Sequence, residues 1–148
     1  MHSDGIRLWL ILMKAHDSLR RHAERQLQAS GLGLSDFAVL EVLLHKGALP
    51  VNAIGSLVRL TSGSITAAVD RLAAKGFVER QNALSDRRAR MVHLTESGRK
   101  VAEAEFAAHS AAMEHAMSGL NQAEKKQAAE LLKKLGLEAE RLFVSETR

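Results

Sequence analysis

The residues best able to do chemistry in this sequence fall between positions 59 and 100. Arg87, Arg88 and Arg90 crowd one short stretch beside Asp86, and guanidinium groups packed so densely repel one another unless an anion takes them up. Upstream, Thr61, Ser62, Ser64 and Thr66 place hydroxyls around the predicted start of a helix, where unpaired N–H groups and the helix dipole already favour a negative charge. Gly63 and Ala67 keep that helix small enough for another surface to approach closely, and Asp70 and Arg71 follow on it. Arg59, Arg71 and Arg80 are candidates for phosphate contacts. Asp70 is expected to pair with Arg71 or a wing arginine and keep that side chain aimed, rather than to accept from a cytosine amino group.

The charge balance agrees. Residues 59–100 hold nine Lys/Arg against four Asp/Glu, a net +5, while the whole chain carries only +4. A one-sign excess confined to one segment is the footprint of a surface that meets a polyanion; a merely solvated face is the alternative.

Other chemistries are excluded by what the sequence lacks. With no cysteine there is no disulfide framework, thiolate zinc site or thiol-oxidation sensor. None of the seven histidines pairs at i, i+4; His16/His22 and His109/His115 stand six apart and diverge by about 120° on a helix, so no metal site and no cofactor are expected. There is no Gly-x-Ser-x-Gly elbow, Walker loop or dinucleotide fingerprint, and the protein is expected not to be an enzyme. The longest apolar run, Leu8 to Met13, falls far short of the ~20 residues of a membrane span, so a cytoplasmic protein without membrane contact is expected.

The elements that must position these residues read mainly as helices. Apolar residues at steps of three and four predict a first helix from Ile6 to Ala29, with Ser3 and Asp4 as possible caps. Its first half is apolar nearly all round. Gly31 and Gly33 break it, Ser35 is expected to cap a second, buried helix over Phe37 to Leu44, and Gly47 suits its C-terminus. Leu49–Val51 form an extended link, Asn52 is expected to cap a short helix, and Thr61 and Ser62 to start another that runs to Lys75 and closes at Gly76. Two short helices so joined make a helix-turn-helix. In the second, Ile65, Val69 and Leu72 face inward, while Gly63, Thr66, Ala67, Asp70 and Ala74 face outward. Phe77–Arg80 and Arg90–Leu94 read as strands about a turn. Thr95 caps a helix to about Ser118, and Asn121 with Glu124 begins the last.

From about Leu34 to Gly98 the sequence resembles the MarR family of bacterial winged helix-turn-helix transcription regulators. The resemblance rests on LTSGSITAAVDRLAAKGFVER (Leu60 to Arg80) and SDRRARMVHLTESG (Ser85 to Gly98), with an Asp-x-Arg at Asp86 and Arg88 followed by the V-x-LT-x-x-G pattern of Val92 to Gly98. Ala83 and Leu84 stand where many wings of that family carry Asp-Pro. The resemblance implies one domain, mainly α with a small β-hairpin wing: a winged helix-turn-helix lobe over about 34–98, and long dimerisation helices over about 4–30 and 96–145. It further implies a homodimer on a palindromic operator in double-stranded DNA, released by a small effector. Arg88 becomes the wing-tip residue of the minor groove, Asp86 the acid that orients the wing, and Ser62 to Arg71 the recognition helix.

The terminal helices carry more apolar surface than one chain of this length covers, which independently predicts a symmetric dimer. Trp9, Met13 and His16 could line a pocket for a small aromatic or amphipathic effector. A winged-helix module that uses the same basic surface for an acidic protein is the alternative function.

Overall fold

The computed structural model describes residues 3–82 and 90–147; Asp86, Arg87 and Arg88 lie outside the described residues. In chain order the elements are α1 (Asp4–Gln28), α2 (Leu34–Lys46), β1 (Leu49–Pro50), α3 (Val51–Val58), α4 (Ser62–Ala74), β2 (Val78–Asn82), β3 (Arg90–Leu94), α5 (Glu96–Ala116) and α6 (Gln122–Glu146). Helices dominate and the strands form one small antiparallel sheet in the order β1-β3-β2, so the mainly α, winged helix-turn-helix architecture expected from the sequence is present. The chain divides into two compact units, Met1–Met113 and Glu114–Arg148.

In the first unit, the Ser3 side chain accepts from the Ile6 N–H at the start of α1. Only Ala23 and Leu27 of this helix are buried. The core is built from Phe37, Val39, Leu40 and Leu43 of α2, Ile54 of α3, the inner face of α4, Val78 and Val92 of the sheet, and Ala102 of α5.

Three expected boundaries move. Ser35 does not cap α2; Gly33 does so through an extended backbone and no side-chain bond, and Asp36 supplies the negative charge of the first turn. Asn52 does not cap α3. Pro50 precedes it with φ −62° and ψ 149°, geometry its ring already favours, and the Asn52 Oδ1 accepts from the next N–H, Ala53, at 3.0 Å. The extended link is also a strand, with Leu49 opposite Val92 and Pro50 opposite Met91. Proline has no N–H to give a ladder, and it sits on the edge of the sheet, where none is required. β2 pairs with β3 from Val78↔Leu94 to Asn82↔Arg90, beginning one residue later than the sequence suggests.

The first turn of α5 is seated on the turn between α4 and β2. The Thr95 hydroxyl donates to the Gly76 carbonyl at 2.6 Å and accepts from the Gly98 N–H at 3.0 Å, and the Thr95 N–H donates to the Phe77 carbonyl at 3.1 Å. Gly76 makes the turn at φ +74°. Gly98 comes so near that a Cβ there would lie 1.8 Å from the Phe77 carbonyl oxygen.

In the second unit, Asn121 and Glu124 complete a reciprocal capping box at the start of α6, and Lys125 is paired with Glu114. No residue of α6 is buried.

Because backbone rather than a flexible side chain opposes a methyl at position 98, Gly98→Ala is expected to cost about 3 kcal/mol, the upper part of the range for overpacking. Thermal unfolding followed by circular dichroism checks this, and an unchanged midpoint would show that the seat yields freely.

Candidate nucleic-acid interface

α3 and α4 are joined by Arg59, Leu60 and Thr61. Arg59 adopts a left-handed conformation, φ 55° and ψ 41°, with its N–H bonded to the Gly55 carbonyl. It is the one non-glycine residue with positive φ among the described residues. Gly55 lets the two helices close on each other: a Cβ there would stand 3.3 Å from Ile65 Cγ2. In front of this junction an open cleft of about 390 Å³ is lined in part by Asn52, Ser56, Ser62 and Thr66.

Ile65, Ala68, Val69 and Leu72 point α4 into the core. The residues expected on its outer side, Gly63, Thr66, Ala67, Asp70 and Ala74, are all exposed, as are Ser62 and, on the flank, Ser64 and Arg71. At the N-terminus the Thr61 Oγ1 accepts from the Ser64 N–H at 3.2 Å, and its hydroxyl donates to Ser64 Oγ at 2.9 Å. Arg59 and Arg90 are exposed, Arg90 as the first residue of β3.

Of the two partners expected for Asp70, Arg71 or a wing arginine, the structure shows the second. Asp70 does not pair with Arg71, because neighbouring residues on a helix point about 100° apart and do not face each other. Asp70 accepts from Arg80 Nη2 on β2 at 2.5 Å, tying α4 to the first strand of the wing. Arg71 reaches back to α2, where its Nε donates to both oxygens of Asp36, at 3.1 and 3.3 Å, and its Nη2 donates to Oδ1 at 2.7 Å. The hydrogen bonds that Arg71 donates to Asp36, and then the charge of Asp36, raise the Arg71 pKa above the ordinary arginine value, so the group is charged at every working pH.

Asp36 is the buried charged residue among the described residues, and the sequence reading missed it. An acid standing directly before an apolar run, Phe37 to Leu40, was the available signal.

Trp9, Met13 and His16 lie exposed on α1, Trp9 at 57% and Met13 at 46%. A pocket on them requires a second surface. No cluster of three or more His, Asp or Glu suited to a metal ion occurs among the described residues.

Residues 32–89 match the model of the MarR family. Over 139 residues, 94% of this chain and 96% of the relative, the sequence is 35% identical to the HTH-type transcriptional regulator MhqR of Bacillus subtilis. This chain belongs to the MarR family. It is thus a DNA-binding transcription regulator by family, and its relatives are regulators rather than enzymes.

The MarR fold is seen directly in two solved neighbours. A mutant MarR from E. coli complexed with operator DNA matches with a TM-score of 0.80 at 23% identity, covering 88% of this chain and 94% of that one. BpsR of Bordetella bronchiseptica, whose DNA binding is regulated by 6-hydroxynicotinic acid, matches with a TM-score of 0.83 at 22% identity over 92% and 97%. At these identities the likeness concerns the fold.

In this MarR-family chain the helix that carries most of the candidate contacts begins at the Thr61 cap. Thr61→Ala is expected to lower stability by about 1 kcal/mol, while Thr61→Ser, which keeps the acceptor, retains most of it. Urea titration of the two variants checks the cap assignment, and equal midpoints for both would remove it.

Proposed function

We propose that this protein is a repressor that binds a palindromic DNA operator as a homodimer and leaves it when a small effector binds. The observation that carries the DNA-binding part is the outer face of α4: exposed, free of bulky side chains, and flanked by Arg59, Arg71 and Arg80. A major groove about 12 Å wide admits one such helix. Ser62, Ser64 and Thr66 donate to phosphates or base edges, Gly63 and Ala67 permit close approach, and Asp70 keeps Arg80 in place. On sequence grounds, Arg87, Arg88 and Arg90 extend the contact to the neighbouring minor groove, whose negative potential attracts arginine.

Arg59 adds an argument from backbone strain. A side chain held in the left-handed region costs roughly 1 kcal/mol that glycine does not pay. An arginine at that turn is explained if its guanidinium contacts a phosphate.

The dimer rests on uncovered apolar surface. On α1, Ile6, Leu8, Trp9, Leu10, Ile11 and Met13 are exposed on all sides of the helix; on α6, Leu131, Leu132, Leu135, Leu142 and Phe143 are exposed. Exposed apolar side chains gathered on a helix mark an interaction site, and a second copy covers those of each helix symmetrically. Two copies of α4 then meet successive major grooves about 34 Å apart, which makes the operator a near palindrome. The same second copy supplies the surface that turns Trp9, Met13 and His16 into a pocket for an aromatic or amphipathic effector. Such a ligand releases DNA only if it binds the released form of the dimer more tightly.

Two measurements test these proposals. In mobility shifts at two salt concentrations, Arg88→Ala and Arg59→Gly are each expected to weaken binding and to reduce the salt slope by about one. Arg59→Gly should at the same time leave the fold as stable as before or more so. Unchanged affinity with an unchanged slope would reject the assigned contact. Light scattering at micromolar protein is expected to give the mass of a dimer, and a stable monomer would overturn the symmetric assembly.

A further inference from the structure

Asp36 is nearly shut off from solvent, its side chain only 6% exposed, yet the Arg71 side chain that binds it is 52% exposed. Three hydrogen-bond distances of 2.7 to 3.3 Å engage Nε and Nη2 of the guanidinium, and the Nη1 edge has no partner among the described residues. The planar guanidinium carries five N–H donors in a rigid fork. Clamping one edge therefore fixes the direction in which the other points.

We propose that Asp36 is a positioning residue for DNA binding, holding Arg71 so that its free Nη1 edge meets a DNA phosphate beside α4. The proposal rests on α4 being the helix that faces DNA.

Stability alone is a poor account of this pair. A carboxylate taken out of water is desolvated at a cost that attraction to a half-exposed partner does not reliably repay, and apolar replacements of such pairs are often neutral or stabilising. What the clamp does provide is order. A free arginine loses rotamer freedom each time it grips a phosphate, and one already held loses less.

Two explanations of Asp36 predict opposite signs. A bare negative charge near DNA repels the phosphates, so neutralising it would tighten binding. A carboxylate that aims Arg71 helps binding, so neutralising it weakens binding.

The experiment uses the full chain and a duplex selected by the wild-type protein from a random library, with affinity read by fluorescence anisotropy and folding by circular dichroism. Asp36→Asn is expected to weaken binding about tenfold, the equivalent of one charge-assisted hydrogen bond. Arg71→Ala should weaken it to a similar degree, and adding Asp36→Asn to Arg71→Ala should change affinity no further, because the two act through one contact. Asp36→Asn binding as tightly as the wild type or more tightly, or weakening DNA binding equally in the Arg71→Ala background, would overturn the proposal.

If Asp36→Asn does not fold, Arg71→Lys, which keeps the charge but not the fork, carries the test: a several-fold loss is expected, and wild-type affinity overturns the proposal. Ala67→Glu separates the underlying assignment. If it binds normally, α4 does not face DNA and both fall; if it abolishes binding while Asp36→Asn has no effect, only the role of Asp36 falls.

Discussion

Ile65, Ala68, Val69 and Leu72 are 2% exposed or less, and their burial decides which way every other side chain of α4 points. Fully burying an aliphatic side chain contributes about 1.5–3 kcal/mol. Turning α4 by one residue, about 100°, would take several of these out of the core and put Thr66 or Asp70 into it. No surface ion pair could offset that. The outer face is thus the remainder left by the core: Gly63, Thr66, Ala67, Asp70 and Ala74 face solvent because their neighbours cannot. Gly55 and Gly98 serve the same end. One brings α3 against Ile65 and the other seats α5 against Phe77, so α4 is held from α3 at its start and from α5 beyond its end.

Electrostatics then refines what packing has placed. Both charged residues of α4 are tied to other elements, Asp70 to Arg80 on β2 and Arg71 to Asp36 on α2. The Asp70–Arg80 pair is exposed enough on the acid side that its contribution to stability is small, within about 1 kcal/mol. Its effect is geometric: it couples the rotation of the helix to the first strand of the wing and neutralises an acid on the outer face of α4. An interface that binds a polyanion can carry acids, provided that each one spends its charge on an arginine.

The parts legible in the sequence are those set by local rules. Ser3, Thr61 and Asn121 cap the helices whose starts they mark in the sequence, and Gly47 and Gly76 follow the ends of α2 and α4 at positive φ, since each acts within a turn of chain. The inward and outward faces of α4 follow from the 3.6-residue period and need nothing else. Where two local solutions compete, sequence is less decisive. Ser35 and Asn52 are good cap residues, but Gly33 and Pro50 take the cap geometry two positions earlier. The features not read at all are long-range: the pairing of Leu49–Pro50 with β3, the closeness of Gly98 to Phe77, and the Asp36–Arg71 clamp. Each joins residues far apart in the chain, and neither propensity nor periodicity reports which partner a side chain will find.

The division of α1 carries a consequence of its own. Ala23 and Leu27 near its C-terminus are buried in the first unit, whereas Ile6, Leu8, Trp9, Leu10, Ile11 and Met13 are exposed on every side of the helix. A helix that only lined the outside of a core would show one apolar stripe and one polar face. An apolar girdle instead needs cover from more than one direction, which a single flat contact does not give. Surrounding α1 with elements of a second copy meets that need, and it also determines what kind of ligand could bind there. Trp9, Met13 and His16 would be enclosed by surfaces from two chains, so a molecule lodged among them would sense the relative placement of the two copies. If, as proposed, the spacing of paired α4 helices matches two half-sites of DNA, a ligand at that place would need no contact with the proposed DNA-facing residues to alter how well they fit.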